Sequence, residues 1–253
     1  MTFSANLGFL WNDRPLPDAI RAAKAAGFAA VECHWPYDWP PEAVARALDE
    51  TGLTMLGLNT RRGNVVIGEN GLSALPGREA EARDAIDDAV AYADAVSAKA
   101  IHVMAGNTSG PRARRSFCAN LDYACSKAGD ATTILIEPLN HFNAPGYFLT
   151  TVEQALDIIR EVDRPNLRLM FDFYHVQIMG GDVVRRFEAA LPLIGHVQIA
   201  SVPDRGAPDH GELHYPFVLR EVRRLGWTRP IGAEYLPASG SEPDLTWMDS
   251  VAV

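Results

Sequence analysis

The sequence predicts one (β/α)8 barrel domain spanning residues 1–253. Three observations carry that expectation. Eight short β-type apolar runs recur along the chain, and segments with helical period separate them. Alternation of this kind implies right-handed crossovers and a parallel sheet. Eight repeats in 253 residues suit a closed barrel better than an open doubly wound sheet,. The open alternative is weakened further because no GxGxxG turn follows the first run.

The first run is FSANL (3–7). PLPDAIRAAKAAGF follows, with Leu16, Ile20 and Ala23 on one face and Gly27 as a C-terminal stop,. AAVECH (29–34) and TMLGLNT (54–60) are the second and third runs. The irregular stretch RRGNVVIGENGLSALPG (61–77) leads into GREAEARDAIDDAVAYADAVSA, where Ala82, Ile86, Val90 and Ala93 fall at stripe spacing,. AIHVMAG (100–106) and TILIEPL (133–139) come next. TVEQALDII opens with Thr151 and Gln154 at capping-box spacing,. LRLMFDF (167–173) and GHVQIA (195–200) precede a second long connection, SVPDRGAPDHGELHYP (201–216). YPFVLREVRRLGW places Pro216 in the first helical turn and Gly226 past the last, and IGAEYL (231–236) completes the set,. Both long connections follow strands, where a barrel carries its active-site loops.

Composition narrows the function classes. The net charge is −9, and no basic cluster exceeds RRG or RARR. No nucleic-acid partner is therefore expected. Cys33, Cys118 and Cys125 show neither CxxC nor Cys–His spacing, which suits a reducing cytoplasm,. The start MTFSANLGFL has no signal-peptide pattern, and no run reaches the ~18 apolar residues of a membrane span. The expected location is the cytoplasm, with no membrane partner. A homo-oligomer is compatible with the sequence.

Chemistry concentrates at strand ends. ILIE, LMFD, HVQ and IGAE place Glu137, Asp172, Gln198 and Glu234 at the ends of four successive later strands. One such residue alone would be an ordinary hydrogen-bonded polar group. Four of them aimed at a common axis, with strands ~4.8 Å apart, bring three carboxylates close enough to repel. A divalent cation with oxygen ligands relieves that repulsion, and an all-oxygen set suits Mg²⁺ or Mn²⁺. His196 shares a face with Gln198 and competes for the ligand role from one layer deeper. His175, His141, Arg205 and Asn6 are candidate substrate contacts. His102, in mid-strand, is expected to be a core histidine.

These segments carry a resemblance. FSANLGFL, VECHWPYD, GLSALPGREAE, IEPLNHF, FDFYHVQ, HVQIASVPDRGAPDHGELHYP and GAEYLP together resemble the hydroxypyruvate isomerase family, within the xylose-isomerase-like TIM barrel group. The resemblance implies a metal site at Glu137, Asp172, Gln198 and Glu234, with Glu137 and Glu234 as the catalytic acid/base pair. It also implies that His175 and Arg205 contact substrate. Related ketose epimerases usually carry His in place of Gln198 and an acid in place of Asn143, which moves the reading toward the isomerase branch. VQIASVPDRGAPDHGE and GENGLSALPGRE also resemble the 2-oxo-tetronate isomerases. The expected partner is a small hydroxy-carbonyl acid, with hydroxypyruvate and tartronate semialdehyde as the interconverted pair. A 2-oxo-tetronate is the alternative, and a ketose 3-epimerase a more distant one. An abasic-site endonuclease would call for more histidines and a basic face. A scaffold protein would have little use for three gathered carboxylates.

Overall fold

The computed structural model describes residues 1–238 and 242–251. Its strands are β1 (Phe3–Asn6), β2 (Ala30–Glu32), β3 (Thr54–Met55), β4 (Leu58–Asn59), β5 (Ala100–His102), β6 (Thr133–Ile136), β7 (Leu167–Asp172), β8 (Ile194–Ile199) and β9 (Ile231–Ala233). They are parallel and lie in the order β3-β2-β1-β9-β8-β7-β6-β5-β4. The predicted third strand is thus two short pieces divided at Leu56 and Gly57. The same segment still bonds on both sides. Leu56 N donates to Val31 O at 2.7 Å, and Asn59 N to His34 O at 2.7 Å. On the other side, Lys99 N donates to Met55 O at 3.0 Å and Thr60 N to His102 O at 2.9 Å. Nine strand pieces therefore occupy eight positions of a barrel closed by backbone hydrogen bonds. Glycine, which packs no side chain and weakens a strand interior, marks the break.

The longer helices cover the outside because each has one apolar stripe. α1 (Leu16–Ala25) buries Leu16, Ala19, Ile20 and Ala23, and α3 (Glu79–Val96) buries Ala82, Ile86, Ala89 and Ala93. Gly27 follows α1 at φ +90°, a conformation L side chains rarely adopt,. α2 (Pro41–Thr51) and α4 (Gly110–Ala128) complete the first half. α5 (Val152–Val162) begins as its sequence predicts, with Thr151 Oγ1 accepting from Gln154 N at 3.1 Å. The Gln154 side chain reaches back to Thr150 N at 3.1 Å. Two further helices, α6 (Phe173–Met179) and α7 (Val183–Ala190), precede β8. α8 (Tyr215–Arg224) and α9 (Trp247–Val251) close the ring.

Inside the barrel, side chains alternate along each strand. Ala100, Leu135 and Met170 form a small apolar floor. Glu137 and Asp172 lie two residues beyond Leu135 and Met170, so they occupy the next layer toward the C-terminal mouth. Register fixes their neighbours: Asp172 pairs with Gln198, Gln198 with Gly232, and Asn6 with Glu32. No helix among the described residues is long and apolar enough to cross a membrane.

Candidate active site

Four strands carry four oxygen-bearing side chains at their C-terminal ends. Glu137 and Glu234 immediately follow β6 and β9, Asp172 ends β7, and Gln198 is next to last in β8. All four are buried, between 1% and 5% exposed. Burial of this kind is costly for a charge that lacks a partner. Nevertheless Glu137 Oε1, Asp172 Oδ2 and Gln198 Oε1 have no hydrogen-bond partner among the described residues. Ligand atoms of Glu137, Asp172, His175 and Glu234 lie within 4.8 Å of one another. Acceptor atoms that converge without donors fit a hard divalent cation.

His175 belongs to this cluster but points to a different task. It sits on α6, the helix that Asp172 Oδ1 caps by accepting from Tyr174 N at 2.8 Å. His175 Nδ1 accepts from Asn140 N at 3.0 Å. A neutral imidazole with Nδ1 accepting carries its proton on Nε2. Burial holds this ring well below the ordinary histidine value, in its neutral form. Nε2 lies 3.6 Å from Asp172 Oδ2 and 3.9 Å from Glu137 Oε1, so it presents a donor rather than a ligand. Gln198 Oε1 is the remaining oxygen of the four predicted side chains, buried and unpartnered among the described residues. His196, the competitor, turns its Nε2 to Glu32 instead.

The two glutamates stand in opposite electrostatic states. Burial, then the charges of Glu234 and Asp172, push Glu137 well above the usual carboxylate range. Burial opposes ionisation of Glu234 as well, but Arg205 and His34 outweigh it and hold the group below that range. Glu234 Oε2 accepts from Arg205 Nη2 at 2.5 Å, and Oε1 meets Asn6 Nδ2 and His34 Nε2, each at 2.9 Å. Burial, followed by the charge of Glu234, pushes Asp172 up to about 7.

A cavity of about 310 Å³ opens above the cluster. Its wall includes Phe9, His34, Trp35, Arg62, His102, Asn143, His175, Arg205, Glu137 and Glu234. Arg205 lies near the rings of Phe9 and Tyr174, 4.8 and 5.0 Å from their centroids, and spans Glu234 and Asp172. Arg62 stacks on Trp35 at 3.7 Å and has no carboxylate partner among the described residues. The predicted contacts Asn6, His175 and Arg205 thus join the cluster. His141 does not; it is exposed, with Nδ1 3.2 Å from Met179 Sδ. His102 is buried, as a core histidine would be, but its Nδ1 lies 3.6 Å from Glu137 Oε2 and burial lowers it to about 4.

Sequence reasoning missed Glu32, His34 and Arg62. Glu32 offered the same signal as the others, an acid after the apolar stretch AAV.

Comparison with known proteins agrees with the fold. The model of the family described as "Xylose isomerase-like TIM barrel" matches residues 20–251. A 2-oxo-tetronate isomerase of Cupriavidus necator is 41% identical, over 97% of this chain and 96% of its own length. A human protein named putative hydroxypyruvate isomerase is 40% identical, over 99% and 95%. A crystal structure titled AP endonuclease, family 2, from Brucella melitensis superposes with a TM-score of 0.94 at 40% identity, covering 98% of each chain. With a closed barrel and likeness along nearly its whole length to named isomerases, the chain belongs to the xylose isomerase-like TIM barrel family, in its hydroxypyruvate isomerase group.

Proposed function

We propose that this isomerase shifts a carbonyl along a short hydroxy-carbonyl acid by moving a proton between adjacent carbons. Hydroxypyruvate and tartronate semialdehyde (2-hydroxy-3-oxopropanoate) are the favoured pair, and a 2-oxo-tetronate is the alternative substrate. The observation that carries the reading is the pair of glutamates at one buried oxygen cluster, one disposed to hold a proton and the other ionised. Groups with proton affinities driven apart in this way divide acid from base.

Glu137, Asp172, Gln198 and Glu234 would hold a divalent ion, Mg²⁺ or Mn²⁺. When bound, the ion polarises neighbouring carbonyl and hydroxyl oxygens and offsets the negative charge that proton removal creates. The chain's own residues do the rest. Glu234, kept ionised by Arg205 and His34, removes a proton from C3 of hydroxypyruvate, giving an enediolate. Glu137 delivers a proton to C2, so one C–H bond breaks and another forms. The hydroxyl proton passes from the C3 oxygen to the C2 oxygen, and His175, with its proton on Nε2, is placed to assist. Arg205 faces the substrate oxygens while holding Glu234. Arg62, with no carboxylate partner among the described residues, receives the substrate carboxylate, for which its planar fork is suited.

An abasic-site nuclease finds little support in a chain of net charge −9,. The deciding experiment is a substrate panel with the purified protein and Mn²⁺ or Mg²⁺. It should turn over hydroxypyruvate or 2-oxo-tetronates far faster than neutral ketoses. Faster C3 epimerisation of a neutral ketose would overturn the reading.

A further inference from the structure

Glu32 ends β2 and stands outside the proposed ligand set. It is 4% exposed, and its carboxylate is saturated with donors. Oε1 accepts from Asn6 Nδ2 at 3.0 Å and from Gln198 Nε2 at 2.9 Å. Oε2 accepts from Ser4 Oγ at 3.4 Å and makes a short contact with His196 Nε2. Four donors fill the acceptor sites that a carboxylate offers.

The amide of Gln198 has two ends of nearly equal size and opposite character. Beside Glu137, Asp172 and Glu234, a free amide would turn its NH2 group toward the carboxylates. That orientation puts a donor where a cation needs an acceptor. Glu32 opposes it by binding the NH2 group from the other side, which leaves Gln198 Oε1 buried and unpartnered. Asn6 extends the same control, since its Nδ2 bonds both Glu32 and Glu234 Oε1, at 3.0 and 2.9 Å. Gly232 provides the space. A Cβ there would stand 2.6 Å from Glu32 Oε1 and 2.8 Å from Gln198 Cγ.

We propose that Glu32 is a positioning residue of the metal centre, which holds Gln198 with its carbonyl oxygen toward the ion. This role rests on the ligand set proposed above. The test is Mn²⁺ binding to the purified full chain by titration calorimetry. Glu32→Leu should weaken binding by roughly 10- to 100-fold, the usual effect of losing a group that orients a ligand. In a Gln198→His background the imidazole has no amide to flip, so the same Glu32 change should cost less than about threefold. Gly232→Ala, which keeps the carboxylate but presses on Glu32 and Gln198, should weaken binding in the same direction and serves if Glu32→Leu fails to fold. Unchanged Mn²⁺ affinity in the folded variants, or equal losses in both backgrounds, overturns the positioning role alone. A wild-type protein that binds no Mn²⁺ overturns the ligand set together with it.

Discussion

Asp172→Asn should make the metal-free protein more stable while removing much of its affinity for a divalent ion. The wild-type carboxyl is almost fully buried and pushed up to about 7, from an ordinary value of 3.8. Between about pH 4 and pH 7 the unfolded chain has therefore released this proton while the folded, metal-free protein retains it. Unfolding free energy falls as pH rises through that window. A shift of about three pH units corresponds to roughly 4 kcal/mol, and sharing of charge within the cluster lowers the expected effect to roughly 2–4 kcal/mol. Asparagine escapes the penalty, and its side-chain oxygen can still accept from Tyr174 N. Melting after chelation should place the variant roughly 5–15 °C above wild type at pH 7.5, with the gap closing near pH 4. Saturating Mn²⁺ should reverse the order, because an ion present at 1,000 times its dissociation constant stabilises the protein that binds it by about 4.1 kcal/mol. Parallel melting curves for the two metal-free proteins across this pH range would refute the account of Asp172.

Glu137→Gln and Glu234→Gln should each lower kcat by at least roughly 10²–10⁴-fold, and the double variant should lose far less than the product because the pair acts as one unit; near-normal turnover in either single variant would remove that residue from the acid/base pair. Arg62→Gln should raise KM for hydroxypyruvate roughly tenfold or more, with little change for dihydroxyacetone, which lacks the carboxylate. Arg205→Lys should lower kcat on both compounds, since lysine keeps the charge but not the planar guanidinium whose Nη2 faces both Glu234 and Asp172,; an effect confined to the acid would instead make Arg205 the carboxylate anchor. Turnover in D₂O should place deuterium on the carbon that gains hydrogen, seen by proton NMR at low conversion. Complete retention of the original hydrogen, with normal transfer in a variant lacking either glutamate, would point to a hydride shift.

The barrel was legible because apolar runs and helical stripes alternate with little ambiguity. Glu137, Asp172 and Glu234 were legible because an acid that ends a buried run is costly and demands a reason. Glu32 met the same criterion and was passed over, since its run is short and its partners lie on β1 and β8. Only register and distance separate a ligand from a group that aims one. α6 was unreadable for a related reason. FYHVQIM has no clear polar face, and the helix starts because Asp172 caps it. The break in the third strand had a visible sign in Gly57, but its reach to both neighbouring strands depends on barrel closure. Arg62 lies in a long connection, where sequence spacing says little about direction.

Gly232 contributes no atom to chemistry, yet it bears on any attempt to move this centre into another scaffold. Copying the four proposed oxygen ligands onto the strand ends of a different barrel would transfer the contacts without the room behind them. With alanine at the equivalent of Gly232, the added methyl would meet the backing carboxylate and the glutamine stem, at 2.6 and 2.8 Å in the present geometry. A transplantable unit therefore takes in at least six positions on five strands or their ends: the four proposed ligands, Glu32 and a residue with no side chain.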